Sequence, residues 1–305
     1  MFSIYGHEEI IRNFYRLAYP FLGGREIRTS ADLRVGYLDF LAGHQPYMPI
    51  NRSDDVFITD PAIEKALVGA YGHKASLNDL GQSEIIDEPY PDAIKREKIA
   101  RARHALDEFL NLDDTLAAIF DLTIHSIVVR PSKRLQGRAS YGGSSSAAIG
   151  TIWLTVGSTL TTSDLVEMLL HELTHHLLFI DERNYPHFDY ELITREENRA
   201  FSAILNMIRP LDKVMHSIVV ATELILGRLR FLPDDKPRIV HPPTNKMIAD
   251  AMTAYESITS LDAADLVLRP RTREILDRCF AACQSAVLQV TYNEPRRIGN
   301  VDTIS

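Results

Sequence analysis

The 305-residue sequence predicts an α+β fold that is mostly helical and has a small sheet. Apolar residues recur at helical spacing along most of the chain, and two short runs are rich in β-forming residues. No internal repeat and no long linker of Gly, Ser and Pro divides the sequence. We therefore expect a single composite domain over residues 1–305.

The order of the elements suggests three parts within this domain. A helical N-terminal part is expected over residues 1–120, a core over 121–230, and C-terminal helices over 231–305. Apolar periodicity predicts the helices of these parts. They are expected near residues 7–18 and 60–70, from Pro91 to Phe120, and near 191–207, 211–230, 244–259 and 271–290.

Two predicted strands begin the core. The first runs from Leu122 to Val129 and the second over Ile149–Thr155, with a polar loop rich in Gly and Ser between them. A helix over residues 164–180 follows the second strand, with Ser163 or Asp164 as its N-cap.

Composition and charge exclude several classes of function. The net charge of −8 and the pI near 5.8 give no general attraction to phosphate backbones, so we expect no nucleic acid partner. The apolar windows are too short for a transmembrane helix, and the N-terminus lacks a secretory pattern, so we expect no membrane partner. Cys279 and Cys283 suit neither a disulfide framework nor a four-cysteine metal site, which favours a reduced, cytoplasmic setting.

The segment His171-Glu172-Leu173-Thr174-His175 lies on the predicted 164–180 helix. Residues i and i+4 share a helical face, so both imidazoles can bind one metal ion. Glu172 is turned by about 100° from His171, and it would be the general base of a hydrolase by reaching a water on that ion. A strand followed by a capped helix with this motif predicts a zincin-like core. The alternative is a buried helix whose histidines bond to neighbouring groups.

Such a site needs a third ligand, and two glutamates are candidates. Glu196 and Glu197 follow His175 by 21 and 22 positions in a predicted helix, where one large group of zinc peptidases has a glutamate ligand. The alternative for this pair is a solvated helical face, because arginines flank it.

Three histidines and an aspartate complete the set of candidates. His187 and Asp189 are nearer in the chain but have no recognisable ligand spacing. His216 follows His175 by 41 positions, where an apolar helix begins, and a polar side chain there needs a partner. Its alternative is a hydrogen-bonded core histidine. His176 points away from its neighbour His175 and is not expected to be a ligand.

Four segments together resemble a family of bacterial HExxH-motif proteins associated with the maturation of ribosomally made peptides. In order, they are Trp153-Leu154-Thr155, the motif itself, Ser202-Ala203-Ile204-Leu205, and Arg209-Pro210 leading to His216-Ser217. The resemblance covers about residues 150–230. Its specific part is the Arg-Pro…His-Ser element, because many metallopeptidases share the motif alone. Members of this family are understood as iron(II)- and 2-oxoglutarate-dependent peptide β-hydroxylases rather than proteases.

The resemblance implies that His171, His175 and His216 bind the metal and leave positions open for 2-oxoglutarate and dioxygen. It also implies that Arg209 pairs with a carboxylate of 2-oxoglutarate. The alternative for Arg209 is an ordinary surface or helix-cap arginine. Many non-haem iron oxygenases use two histidines and a carboxylate, which keeps Glu196 and Glu197 open as ligands.

Three functions are compatible with this set of residues. The favoured one is an iron(II)/2-oxoglutarate-dependent oxygenase that hydroxylates a side chain of a peptide substrate in natural-product maturation, with Glu172 tuning the hydrogen bonds around the ligands. The second is a zinc metallopeptidase in which Glu172 deprotonates the zinc-bound water. The third is a non-catalytic protein that binds a peptide.

Overall fold

The computed structural model describes residues 3–73, 82–133, 140–232 and 238–293. Each of the three predicted parts includes residues outside this description, which are 1–2, 74–81, 134–139, 233–237 and 294–305.

Helices dominate the described residues and a small sheet accompanies them, which confirms the mostly helical α+β class. The helices are α1 (His7–Ala18), α2 (Ser30–His44), α3 (Pro61–Ala70), α4 (Gln82–Ile85), α5 (Asp92–Leu110), α6 (Asp114–Thr123), α7 (Thr162–Asn184), α8 (Leu211–Arg230), α9 (Thr244–Thr259), α10 (Ala264–Val267) and α11 (Pro270–Asn293). The strands are β1 (Ser126–Val129), β2 (Gly142–Gly143), β3 (Thr151–Leu154), β4 (Arg199–Ser202) and β5 (Met207–Pro210).

The three-stranded sheet has the order β1-β3-β2. Strands β1 and β3 run parallel, with Ser126 opposite Thr151, and β2 pairs antiparallel with β3. Both parallel strands are buried along their whole length, as expected for strands covered on both faces. The sheet therefore lies inside the molecule, and β3 is followed directly by the motif helix α7.

Helix α7 is the central element of the core, since it packs against α1, α5, α6, α8 and β2 and is buried on most of its surface. A capping box begins it. The side chain of Thr161 accepts a hydrogen bond from the backbone N–H of Asp164, and the Asp164 carboxylate accepts one from the N–H of Thr161. The N-cap is therefore Thr161, and the prediction of Ser163 or Asp164 is wrong by two or three positions.

Helix α8 lies close against α7 because a glycine faces it. A Cβ atom at Gly227 would lie 2.6 Å from Cδ2 of Leu170 on α7. Helix α8 also packs against α9, α11 and β4. This arrangement brings the N-terminal half of α8 next to the motif residues of α7.

The helix predicted near residues 191–207 is wrong. This stretch forms two short 3-10 turns, Leu192–Thr194 and Glu196–Asn198, and then strand β4, which pairs antiparallel with β5. One contact and one backbone conformation favour the hairpin. The N–H of Phe201 donates to Oγ of Ser257 on α9 at 2.7 Å, and Asn206 in the turn adopts a positive φ of 52°, a conformation in which Asn is enriched.

The N-terminal part departs from expectation in two places. The helix predicted from Pro91 to Phe120 is two helices, because Asp113 caps α6 by accepting from the N–H groups of Thr115 and Leu116. Because α6 continues to Thr123, the first strand begins only at Ser126. Helix α2 was not predicted at all.

No helix in the described part of the chain is both long and apolar enough to cross a membrane, and the cytoplasmic setting stays a prediction.

Candidate functional site

A cavity of about 340 Å³ lies between α7, α8 and the β4–β5 hairpin. His171 and His175 line it from α7, and His216 lines it from α8. Arg209, near the end of β5, and Lys213, on the first turn of α8, also line it. The volume falls at the lower end of the range for small-molecule pockets. The structure thus brings the predicted metal ligands and the predicted cosubstrate arginine to one cavity.

His175 and His216 contact each other directly. Their Nδ1 atoms are 3.1 Å apart and their rings stack with centroids separated by 5.4 Å. Two neutral imidazoles make such a contact when one ring nitrogen donates its proton to the lone pair of the other.

A fourth imidazole, which the sequence did not reveal, contacts the first motif histidine. His241 lies in the segment before α9, lines the same cavity, and has Nε2 2.9 Å from Nδ1 of His171. Its other ring nitrogen, Nδ1, is 2.8 Å from Oε1 of the buried Glu167. No local motif marks His241, since its partners lie 70 and 74 positions away in the sequence.

The imidazoles meet in two pairs. Among the described residues, no group of three or more His, Cys, Asp or Glu side chains is already arranged to hold a metal ion. The donor set nevertheless fits one chemically, because imidazole is a ligand for zinc, iron and related ions. The distance of 3.1 Å between Nδ1 of His175 and Nδ1 of His216 resembles the separation of adjacent ligands, roughly 3.0 to 3.4 Å for metal–nitrogen bonds of about 2.1 Å.

Burial keeps the motif histidines neutral. It lowers the pKa of His171 to about 3, with a further lowering from His241 and an opposing effect from Glu167. Burial also holds the pKa of His175 well below its ordinary value, and His171 and His216 add to the effect. Neutral imidazole is the form that binds a metal ion.

Glu172 lies beside His171 but outside the lining of the cavity. Its Oε1 is 4.0 Å from Nε2 of His171, and its Oε2 accepts a hydrogen bond of 2.6 Å from the Ser144 hydroxyl. Burial raises the pKa of Glu172 to about 8, against the lowering effect of Ser144. Gly142 leaves room for the carboxylate, since a Cβ there would lie 3.2 Å from Oε1.

Arg209 is half-buried in the cavity wall. Within the described residues, no hydrogen bond or ion pair holds its guanidinium group. Burial lowers its pKa from the ordinary arginine value, and the charge of Asp212 opposes this. Helix α8 begins at Leu211 with Pro210 as its N-cap, so Arg209 precedes the helix N-terminus. A guanidinium in this position can bind a carboxylate in the cavity.

The cavity lining carries cationic side chains although the chain has a net charge of −8. Among the described residues that line it, the charged side chains are Arg209 and Lys213. Nζ of Lys213 is also 3.2 Å from a carboxylate oxygen of Asp212. Lys213 was not predicted from the sequence, although it lies three positions before His216 and so shares its helical face.

The two glutamates predicted as alternative ligands lie elsewhere. Glu196 and Glu197 belong to an exposed 3-10 turn and do not line the cavity. Glu197 lies 4.0 Å from Arg195, with 69% of its side chain exposed. Both glutamates are exposed to solvent next to arginine, as the alternative to metal binding predicted, but they lie in a turn and not in the expected helix.

The remaining candidates are engaged away from the cavity. Nε2 of the buried His187 is 2.8 Å from Asp181, and Asp189 pairs with Arg269 at 2.9 Å. His176 is buried outside the lining of the cavity, and its Nδ1 accepts a hydrogen bond of 3.2 Å from the N–H of Gly150.

No family model matches the chain, and no curated protein matches its sequence significantly.

Proposed function

We propose that the protein is an iron(II)/2-oxoglutarate-dependent oxygenase that hydroxylates a side chain of a peptide substrate. The observation that carries the proposal is the composition of the cavity, which combines three predicted imidazole ligands with Arg209 and Lys213. Neutral imidazoles leave the charge of a bound iron(II) uncompensated, and the guanidinium of Arg209 adds to it, whereas Asp212 offsets the charge of Lys213. The cavity therefore favours a small dianion such as 2-oxoglutarate.

To hold iron, His171, His175 and His216 would have to converge on one point, in addition to a change of tautomer. His175 and His216 would each direct a ring lone pair to the ion, so the proton between their Nδ1 atoms would move to another ring nitrogen. When bound, iron with 2-oxoglutarate and dioxygen supplies an oxidant able to hydroxylate an unactivated carbon. The guanidinium of Arg209 would bind and orient the distal carboxylate of the cosubstrate.

The apolar part of the cavity has a separate role. Phe179, Leu224 and Met247 line it beside the imidazoles and exclude water from the space next to them. Charge interactions between a bound acid and Arg209 strengthen in such surroundings. The volume of about 340 Å³ suits the cosubstrate together with one substrate side chain, so the rest of a peptide would lie at the cavity mouth.

We also infer that the core is zincin-like. In support, β3 is followed directly by the capped helix α7, which carries the motif. Strand β2 forms one edge of the three-stranded sheet, pairs antiparallel with β3 and contacts α7.

Anaerobic reconstitution tests the proposed function. Protein stripped of metal is mixed with Fe(II) and 2-oxoglutarate under argon, and a visible charge-transfer absorption is expected when both bind at one centre. Admission of oxygen should then convert 2-oxoglutarate to succinate. Retention of zinc alone, with peptide cleavage and no succinate, would reject the oxygenase.

A second candidate function is a zinc peptidase with His216 as the third ligand. The position of Glu172 favours it, because a carboxylate 4.0 Å from Nε2 of His171 can reach a water on an ion bound there. A zinc peptidase with Glu196 or Glu197 as the third ligand has less support, since neither side chain lines the cavity.

A further inference from the structure

His241 and Glu167 form a hydrogen-bonded chain that ends on a motif histidine. Glu167 lies on α7 one helical turn before His171, so both side chains share a face of that helix. His241 is inserted between them, 2.8 Å from Glu167 and 2.9 Å from His171. We propose that His241 is a positioning residue that fixes the tautomer and orientation of His171 for metal binding, an inference that rests on the proposed metal centre.

The charge on Glu167 determines where the protons of this chain lie. Arg228 donates two hydrogen bonds to its carboxylate, of 2.8 and 2.7 Å, and Arg238 forms an ion pair with it at 3.0 Å. Burial raises the pKa of Glu167, but the hydrogen bonds and charges of His241 and Arg228 outweigh burial and hold the value at about 2. The carboxylate is therefore ionised and only accepts hydrogen bonds.

The proton positions of both imidazoles follow. Because Glu167 only accepts, Nδ1 of His241 carries a hydrogen, and in the neutral imidazole its Nε2 then has the lone pair. That lone pair accepts from Nδ1–H of His171. His171 is thereby held as the Nδ1–H tautomer, and its Nε2 lone pair is left for a metal ion. A hydrogen bond from the second ring nitrogen is what usually orients a metal-binding histidine.

The backbone around His241 is held by hydrogen bonds to α7 and α8. The N–H of Ile239 donates to Oδ1 of Asp164 at 2.8 Å, and Asp164 belongs to the capping box of α7. On the other side, Arg228 of α8 donates to the carbonyl oxygen of Pro242 at 2.7 Å. These two bonds flank His241, so the ring is placed by the helices that carry the proposed ligands rather than by its own segment.

Two substitutions at position 241 separate positioning from metal ligation. In His241→Gln the amide can still donate to Glu167 and accept from His171, whereas His241→Leu can do neither. The tautomer of His171 is read by NMR of 15N-histidine-labelled, metal-free protein, and metal affinity is measured by titration with Co(II). The matched control is His187→Leu. This substitution also removes a buried imidazole that contacts α7, since Nε2 of His187 is 2.8 Å from Asp181 of that helix, but His187 does not line the cavity.

The wild-type protein and the Gln variant are expected to show the Nδ1–H tautomer of His171, and the Leu variant to lose this preference. The Leu variant should bind Co(II) about 10 to 100 times more weakly, and the Gln variant less than about 10 times more weakly. The His187→Leu control should change neither measurement.

Three results would overturn the inference: an Nε2–H tautomer of His171 in the wild type, unchanged Co(II) affinity in the Leu variant, or equal losses in the Gln and Leu variants. Equal losses of Co(II) affinity would indicate that His241 binds the metal directly. Wild-type protein that shows the Nδ1–H tautomer but binds no Co(II) would reject the metal centre itself, so the two failures are distinguishable.

Discussion

Nδ1 of His216 lies 3.1 Å from Nδ1 of His175, although the two histidines are 41 positions apart in the sequence. The contact joins α8 to the motif helix across the wall of the cavity. No comparable contact is made by Glu196 or Glu197, which are exposed and outside the lining. Among the third ligands that the sequence offers, His216 is therefore the one that the site favours.

His216→Ala should remove bound metal as completely as His171→Ala or His175→Ala. Loss of a direct ligand should lower the metal affinity by more than about 100-fold, because loss of a group behind a ligand already costs 10 to 100-fold. Metal content after anaerobic purification checks this, with Glu197→Ala as the control. Full occupancy in His216→Ala together with loss in Glu197→Ala would restore a peptidase with a glutamate ligand.

Glu172→Gln distinguishes the two enzymatic functions. The substitution keeps the shape of the side chain, and the amide oxygen can still accept the hydrogen bond from Ser144. An oxygenase should retain succinate formation within about a factor of 10, whereas a hydrolase that uses Glu172 as its general base should lose about 10² to 10⁴-fold in rate. Loss of all 2-oxoglutarate turnover, with Fe(II) and 2-oxoglutarate still bound, would count against the oxygenase.

Arg209→Ala should raise the 2-oxoglutarate concentration needed for half-maximal succinate formation by about 10 to 100-fold, the effect of losing one charge-assisted hydrogen bond of about 1.5 to 3 kcal/mol. Metal content should stay unchanged, because a guanidinium is not a ligand. Arg199→Ala, an exposed residue of the neighbouring strand β4, is the control. Equal effects of the two substitutions would show that only the general charge of the surface matters.

The sequence predicts the helical frame well where local signals are strong. The predicted helices over 211–230 and 244–259 agree with α8 and α9, because each has a clear apolar periodicity and a proline directly before its first residue. Helix α7 extends beyond its prediction at both ends, since Thr161 begins the capping box and polar residues continue the last turn. Local patterns are sufficient for these elements.

Other features depend on contacts between distant parts of the chain. The β4–β5 hairpin was predicted as helix, because its pairing is stabilised by contacts with α8 and α9 that no local pattern contains. His241 was missed for the same reason, since its role depends on Glu167 and His171 at separations of 74 and 70 positions. The sequence therefore marks the motif histidines that line the cavity, whereas it does not mark His241, which contacts one of them.

Gly227→Ala should destabilise the packing of α7 against α8. The new methyl group would lie 2.6 Å from Cδ2 of the buried Leu170, so that side chain or the helix must shift, at a cost of about 1 to 3 kcal/mol. Gly69→Ala is the matched control, because no atom lies within 4 Å of its added Cβ and the helix α3 should gain up to about 1 kcal/mol. Urea unfolding measures both. An unchanged or raised stability of Gly227→Ala would contradict the close-packing argument.

Glu223→Gln should remove a pH dependence of stability that arises from a buried carboxyl group outside the lining of the cavity. Burial raises the pKa of Glu223 to about 7 from an ordinary value of 4.5, and hydrogen bonds from the N–H of Ile4 and the side chain of Ser3 oppose this only in part. Between these two pH values the folded state binds more protons than the unfolded state, so the free energy of unfolding falls as the pH rises. The contribution is fully present below pH 4.5 and is lost as the pH rises through 7.

Relative to the Gln variant, the wild type should therefore lose about 3 kcal/mol of unfolding free energy between pH 4.5 and pH 7.5. The amide oxygen of Gln can keep the 2.8 Å hydrogen bond from Ile4, so the comparison isolates the charge. Urea unfolding at a series of pH values gives the difference, and Glu256→Gln, an exposed glutamate of α9, should follow the wild type. A difference between wild type and Glu223→Gln that does not change with pH would show that this carboxyl group ionises in the folded protein as easily as in the unfolded chain.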